Sequence, residues 1–393
     1  MALCFLMRRE PVNGSPPDAA PLRTGLDRML QEPPSGRLGL LTNVAAVTAD
    51  LRLGADALLG AGADLVALFG PEHGFRGTAQ AGESDPSTVD SATGIRVFDT
   101  YGAESGVAGM LAESGIDTML VDLQNVGARF YTYESSLYDV IAATVGGGPQ
   151  VTVLDRPNPI GGERIAGPVL DPAFASFVGR APIPIRHGLT MGELARLFAD
   201  LLGAPPVDVV ELTGWRRGDL FADIGRPWVP PSPNIPTVET TLVYPGSCLL
   251  EGCNLAPGRG TTTPFQLAGA PWADDRLVTT MRDAAMPGLL VRDARWMPTF
   301  SDYAGQQVTG IAAHVTDADI FDPLLYGVTL LCTAHACWPA DFRFRDSHFD
   351  RLAGSSRLRT AIEAGTEPAE IVAGWADDEA AFARARAAYL LYD

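Results

Sequence analysis

Residues 117–134 read DTMLVDLQNVGARFYTYE. Asp117–Asp122 is an apolar strand candidate that runs straight into a polar turn and a helix expected over 134–144. The same layout occurs twice more. Asp64–Phe69 (DLVALF) runs into Gly70-Pro71-Glu72-His73-Gly74-Phe75-Arg76-Gly77, and Val151–Leu154 (VTVL) runs into Asp155-Arg156-Pro157-Asn158-Pro159. Further strand candidates are Arg37–Thr42 and Ile95–Phe98. Helices are expected over 51–59, closed by Ala61–Gly62, and over 107–113. Strands alternating with helices of about ten residues predict βαβ units and a parallel sheet covered on both faces. Ligands of open parallel sheets bind outside the carboxyl ends of the strands. Three ends that each deliver an acid and an Arg therefore predict one polar crevice.

The Pro-rich run 155–172 breaks this rhythm. It sets a boundary between an α/β domain over 24–160 and a mixed α/β domain over 161–393. Residues 1–23 read as a disordered lead-in, because EPVNGSPPDAAPL (10–22) is rich in Pro and polar residues, and a helix is expected over 25–31. The second domain predicts a helix over 190–202, a strand over 207–212, and a strand over 310–315. Further helices are expected over 322–335 and 367–389. Between them lies a loop-rich tract, 225–271, which carries nine prolines from Pro227 to Pro271. Loop tracts of that length in compact proteins are usually functional.

Composition removes whole classes of chemistry. The chain has 393 residues, 46% of them hydrophobic, enough for a large core. All 29 basic residues are Arg, against 47 acids, for a net charge of −18. Without Lys there is no Schiff-base enzyme, no Walker A loop and no protein kinase. An acidic chain with no basic tract predicts no nucleic-acid partner. Any anionic ligand must be gripped by Arg, whose planar fork suits a carboxylate. The five cysteines form no disulfide framework and read as plain thiols. The five histidines are scattered without HExxH or HxH, so no metal site is predicted. There is no GxSxG elbow, and Gly60-Ala61-Gly62 follows a helix rather than a strand, so it is no dinucleotide fingerprint. No apolar run is long enough to span a membrane. Met1–Met7 is apolar and precedes Arg8-Arg9, the reverse of a secretory signal, and the expectation is a cytoplasmic protein.

Glu72 and His73, between Pro and Gly, read either as a structural turn or as a rigid mount for polar side chains. Glu134 opens a helix, where an acid is favoured anyway. Asp155 and Arg156 could simply be an ion pair. Their joint occurrence favours a site. Glycosidases usually use two carboxylates, about 5–5.5 Å apart for retention and about 6.5–9.5 Å for inversion, although a 2-acetamido group can replace one of them. Glu72 and Glu134 are the preferred pair. Asp377-Asp378-Glu379 reads as a solvated helix face. Stiff polar loops around Arg186-His187-Gly188, Pro231–Thr237 (PSPNIPT), Glu251–Asn254 (EGCN) and Gly258–Thr261 (GRGT) suit recognition of a polar ligand.

The ordered set FGPEHGFRG (69–77), DLQNVGARFYTYE (122–134), DRPNPIGG (155–162), PSPNIPT, EGCN, GRGT and GAPW (269–272) resembles the NamZ-type exo-β-N-acetylmuramidases, a family long catalogued as a domain of unknown function. The resemblance runs from about residue 24 to 392. It implies a Rossmann-like domain followed by a smaller mixed α/β domain, with the active site in the cleft between them and no cofactor. It implies release of N-acetylmuramic acid from the non-reducing end of muropeptide or MurNAc-GlcNAc fragments. Glu72 and Glu134 match the family's glutamates, with His73 and Asp155 expected to orient them. Arg76, Arg129, Arg156, Arg186 and Arg259 are candidates for the lactyl carboxylate. Tyr131, Asn158, His187, Asn234, Glu251 and Asn254 complete the expected binding residues. An esterase or amidase acting on muropeptides, or a non-catalytic muropeptide binder, would use the same cleft. The oligomeric state is not legible.

Overall fold

The computed structural model describes residues 21–84, 86, 88–102 and 106–393. Its first sheet contains β1 (Leu38–Thr42), β2 (Leu65–Gly70), β3 (Thr88–Val89), β4 (Arg96–Asp99), β5 (Thr118–Asp122) and β6 (Gln150–Leu154). The chain then makes a hairpin, β7 (Ala166–Val169) and β8 (Pro184–Arg186), before β9 (Asp208–Val210) rejoins the sheet. The order is β3-β4-β2-β1-β5-β6-β9, and every pair is parallel except β3 with β4. Counted without β3, the parallel strands run 3-2-1-4-5-6, the doubly wound Rossmann order.

The sequence dictates this layering. β1 is buried along its whole length, as expected for a central parallel strand with helices on both faces. Side chains alternate between the faces of a strand. Leu40 accordingly joins Leu26, Leu58, Leu68 and Leu120 in one core. Its neighbour Leu41 joins Phe69, Met119, Val121 and Val140 in the other. The covering helices are α1 (Gly25–Met29), α2 (Gly54–Gly60), α3 (Val107–Ser114), α4 (Thr132–Ala142) and α5 (Met191–Leu202).

The rest of the chain builds α6 (Val238–Ser247), β10 (Leu267–Ala270), α7 (Arg276–Asp283), β11 (Leu289–Trp296), β12 (Val308–Val315) and α8 (Pro323–Cys337). β12 is the centre of an antiparallel sheet, β10-β12-β11, against which α6 and α7 pack. Four helices follow: α9 (Asp346–Ala353), α10 (Arg357–Glu363), α11 (Pro368–Ala373) and α12 (Ala376–Arg386). The chain end returns to the first sheet, where the Tyr392 hydroxyl donates to Asp155 Oδ2 at 2.6 Å.

Several expectations change. The boundary expected at residue 160 falls within the first sheet, because β9 lies beyond it. Residues 1–20 of the expected lead-in, and with them Met1–Met7 and Cys4, lie outside the described residues. Leu22 and Arg23 are folded: Leu22 packs on Leu212 and Trp215, and Arg23 exchanges backbone hydrogen bonds with Thr213. The tract 225–271 holds α6 and β10. Pro245 sits inside α6, near its C-terminal end, so proline content concealed a helix. The helix expected over 367–389 is two helices broken at Gly374, and β11, α7, α9 and α10 were not anticipated. In α12, Glu379 is not merely solvated, because its Oε1 accepts the Gly167 N–H at 2.8 Å.

Candidate active site

The register of β1 with β2 and β5 places the carboxyl ends of the parallel strands along one edge. A cavity of about 620 Å³ opens there, between the β2 end and the second half of the chain. The first half contributes Glu72, His73 and Tyr131, and the second Asn234, Glu251 and Arg259.

The turn after β2 is tightly held. His73 adopts φ 73°, a left-handed conformation that a side chain disfavours. Its N–H donates to Glu83 O at 2.9 Å, and its carbonyl accepts from the Ala79 N–H. Such strain persists where surrounding structure over-determines it. Glu72 Oε1 accepts the Gly82 N–H at 2.6 Å, and Oε2 meets Thr132 Oγ1 at 2.5 Å. A hydroxyl both donates and accepts. The Thr132 contact therefore survives whether Glu72 is ionised or protonated. His73 Nδ1 lies 3.2 Å from the Ala79 carbonyl, so Nδ1 carries a proton in that contact. Burial holds the imidazole below its ordinary pKa, partly opposed by the neighbouring Glu72 charge.

The opposite wall supplies donors. Arg259 is ion-paired through Nε to Glu251 Oε1 and lies 5.0 Å over the Phe265 ring. Its buried Nη1 has no protein partner, nor has Asn234 Nδ2. Buried polar groups are nearly always hydrogen-bonded, so two unpartnered donors on one cavity wall point to a polar ligand. The Pro231–Thr237 loop that carries Asn234 is fixed from behind, since Asn43 Nδ2 and the Tyr133 hydroxyl both donate to Pro231 O. Asn43, Thr132, Ser232, Tyr244, Asp302, Arg345 and His348 were not anticipated; Thr132 and Ser232 lie within motifs already singled out.

The remaining expected residues lie outside the lining of this cavity. Glu134 does not line the cavity. It is buried, its Oε1 accepts from His187 Nε2 at 2.9 Å, and burial raises its pKa, partly opposed by His187. His187 Nδ1 accepts the Leu189 N–H, which fixes the tautomer that donates to Glu134. Asp155 accepts from Thr190 Oγ1, the Gly192 N–H and Tyr392, and burial lifts its carboxyl to about 6. Arg76 pairs with Asp90, and Arg156 with Asp122. Arg129 donates to the carbonyls of Pro168, Ile183 and Leu352. Arg186 donates to Ile160 O, and burial pushes both buried guanidiniums down to about 9. Asn158 binds Leu189 O, while Asn254 bridges Asp341 O and the Arg343 N–H. Of the arginines that sequence offered to a ligand, Arg129, Arg156 and Arg186 are consumed inside the fold and Arg76 is paired with Asp90, leaving Arg259 as the expected Arg on the cavity wall. Among the described residues, no group of three or more His, Cys, Asp or Glu is placed to hold a metal. No described helix is long and apolar enough to cross a membrane.

Comparison with known proteins gives a concordant picture. The family described as exo-β-N-acetylmuramidase NamZ, N-terminal, matches residues 38–239, and its C-terminal counterpart matches residues 242–392. The chain is 41% identical over 379 residues to the peptidoglycan β-N-acetylmuramidase NamZ of Bacillus subtilis (strain 168), covering 94% of this chain and 91% of that one. Two crystal structures of DUF1343 family proteins from Bacteroides fragilis NCTC 9343 are similar, each at 30% identity over 95% of this chain and 99% of theirs. Their TM-scores are 0.85 and 0.77.

Proposed function

The chain belongs to the NamZ family of exo-β-N-acetylmuramidases, and we propose how its cleft performs that glycosidase reaction. Glu72 is the group that transfers a proton to the leaving glycosidic oxygen. Thr132 holds it in both protonation states, and the Gly82 N–H fixes its other oxygen. His73, whose pKa burial holds down, accepts a proton from the attacking water. General acid–base transfer of this kind contributes about 10²–10⁴-fold.

The substrate is a peptidoglycan fragment, and we propose that its terminal N-acetylmuramic acid sits against the wall of unpartnered donors. Arg259 receives the lactyl carboxylate, for which a fixed guanidinium is the fitting partner. Asn234 donates to a neutral oxygen of the same sugar. The observation that carries this reading is the sharing of one cavity by Glu72 and an Arg with an unpartnered nitrogen.

The test is mass spectrometry of the protein with N-acetylmuramyl-β-1,4-N-acetylglucosamine, with and without EDTA. Release of both monosaccharides in both samples is expected. An intact disaccharide from folded protein would overturn the reading.

A further inference from the structure

Among the described large apolar residues that are exposed, Phe300 alone lines the cavity; it is 41% exposed. The loop that presents it is built with care. Ser301 and Tyr303, both non-glycine, adopt φ 70° and 60°. The loop is closed by the Gly305 N–H to Pro298 O at 2.9 Å. It is docked on the Arg259 turn, since the Thr299 N–H and Oγ1 both donate to Gly260 O. Tyr303 anchors its far side by donating to Asn254 O at 2.7 Å, while Trp272 Nε1 donates to the Tyr303 hydroxyl. Gly260 must be glycine for this docking: a Cβ there would lie 2.4 Å from Phe300 O, at φ 78°. A strained, multiply pinned loop that holds an aromatic ring at a cavity mouth is organised for a ligand.

We propose that Phe300 is the platform for the sugar on the leaving-group side of the scissile bond. This inference rests on the exo-muramidase reading above. An exo-enzyme seats the chain end inside, where the buried donors of Asn234 and Arg259 lie, so the next sugar sits at the mouth. A β-1,4-linked N-acetylglucosamine carries equatorial substituents and presents a face of axial C–H groups. The negative face of an aromatic ring attracts such positive edges. Phe300 supplies that face with no hydrogen-bonding group, so it reads the shape of the leaving sugar and leaves the identity of the terminal sugar to the inner wall.

The experiment titrates the wild-type protein and Phe300→Ala with N-acetylglucosamine and, separately, with N-acetylmuramic acid, and measures KM and kcat on the disaccharide. Expected is a rise of about three- to tenfold in KM and in the dissociation constant for N-acetylglucosamine. Binding of N-acetylmuramic acid and kcat should stay near wild type. Phe300→Trp should restore the KM, whereas Phe300→Leu, which keeps apolar surface without the ring, should not. Equal weakening of both sugars, no weakening of either, or full rescue by Leu would overturn the platform. If wild type cleaves nothing, the muramidase reading itself fails, which is a distinct outcome from cleavage indifferent to Phe300.

Discussion

Glu72 and Thr132, sixty residues apart in sequence, meet at 2.5 Å between Oε2 and Oγ1. The contact joins the turn after β2 to the first turn of α4 and sets the orientation of the carboxyl in the cavity wall. Thr132→Val keeps the shape and removes the hydroxyl. It should lower kcat by about 10–100-fold with little change in KM, and narrow the pH range of activity. Steady-state kinetics across pH checks this; an unchanged kcat would remove Thr132 from the machinery.

Arg259 should set the choice of sugar. N-acetylmuramic acid differs from N-acetylglucosamine by the lactyl ether, whose carboxylate is the charge that Arg259 is proposed to bind. A hydrogen bond to a charged group is worth about 1.5–3 kcal/mol, roughly 10–100-fold. Arg259→Gln should reduce kcat/KM for the muramic substrate by that factor and leave the low rate on the matching N-acetylglucosaminide unchanged. The ratio of the two rates is the readout.

Arg129 should matter to stability. Three carbonyls from separate segments accept from its guanidinium, and removal takes that buried bond from each of them, Ile183 O keeping only the Leu170 N–H. Arg129→Met should cost on the order of 3–5 kcal/mol, visible in denaturant unfolding. Arg259→Gln should leave the unfolding midpoint much nearer wild type.

Asp155 predicts a pH slope. Burial, outweighing the hydrogen bonds from Tyr392, Thr190 and Gly192, raises its carboxyl from the ordinary 3.8 to about 6. The folded state therefore holds this proton at pH values where the unfolded chain has released it. The stability it contributes is fully present below about pH 4 and lost as pH rises to about 6. The change is on the order of 3 kcal/mol. Asp155→Asn should flatten that part of the stability–pH curve; an identical slope in both proteins would refute the assignment.

The sheet was legible because its central strands are continuous apolar runs, the mark of strands buried on both faces. The turns after them were legible because Gly and Pro frame Glu72 and His73. The separation of Glu134 from Glu72 was not, and helix geometry explains why. Residues two apart on a helix point about 200° apart. With Thr132 turned towards Glu72, Glu134 must face the interior, where His187 meets it. Strand-end arginines misled for another reason: Arg129 among carbonyls and Arg259 at a cavity read alike in a sequence. Phe300, Arg345 and His348 carry no local motif and reach the cavity through tertiary packing alone.

Everything above turns on Glu72 carrying the proposed proton transfer. The most direct measurement is the rate of monosaccharide release from N-acetylmuramyl-β-1,4-N-acetylglucosamine by wild type and Glu72→Gln, with binding of the disaccharide followed in parallel. A fall in kcat of at least about 10²-fold is expected, with the disaccharide still bound. Turnover by Glu72→Gln at close to the wild-type rate would remove Glu72 from that role.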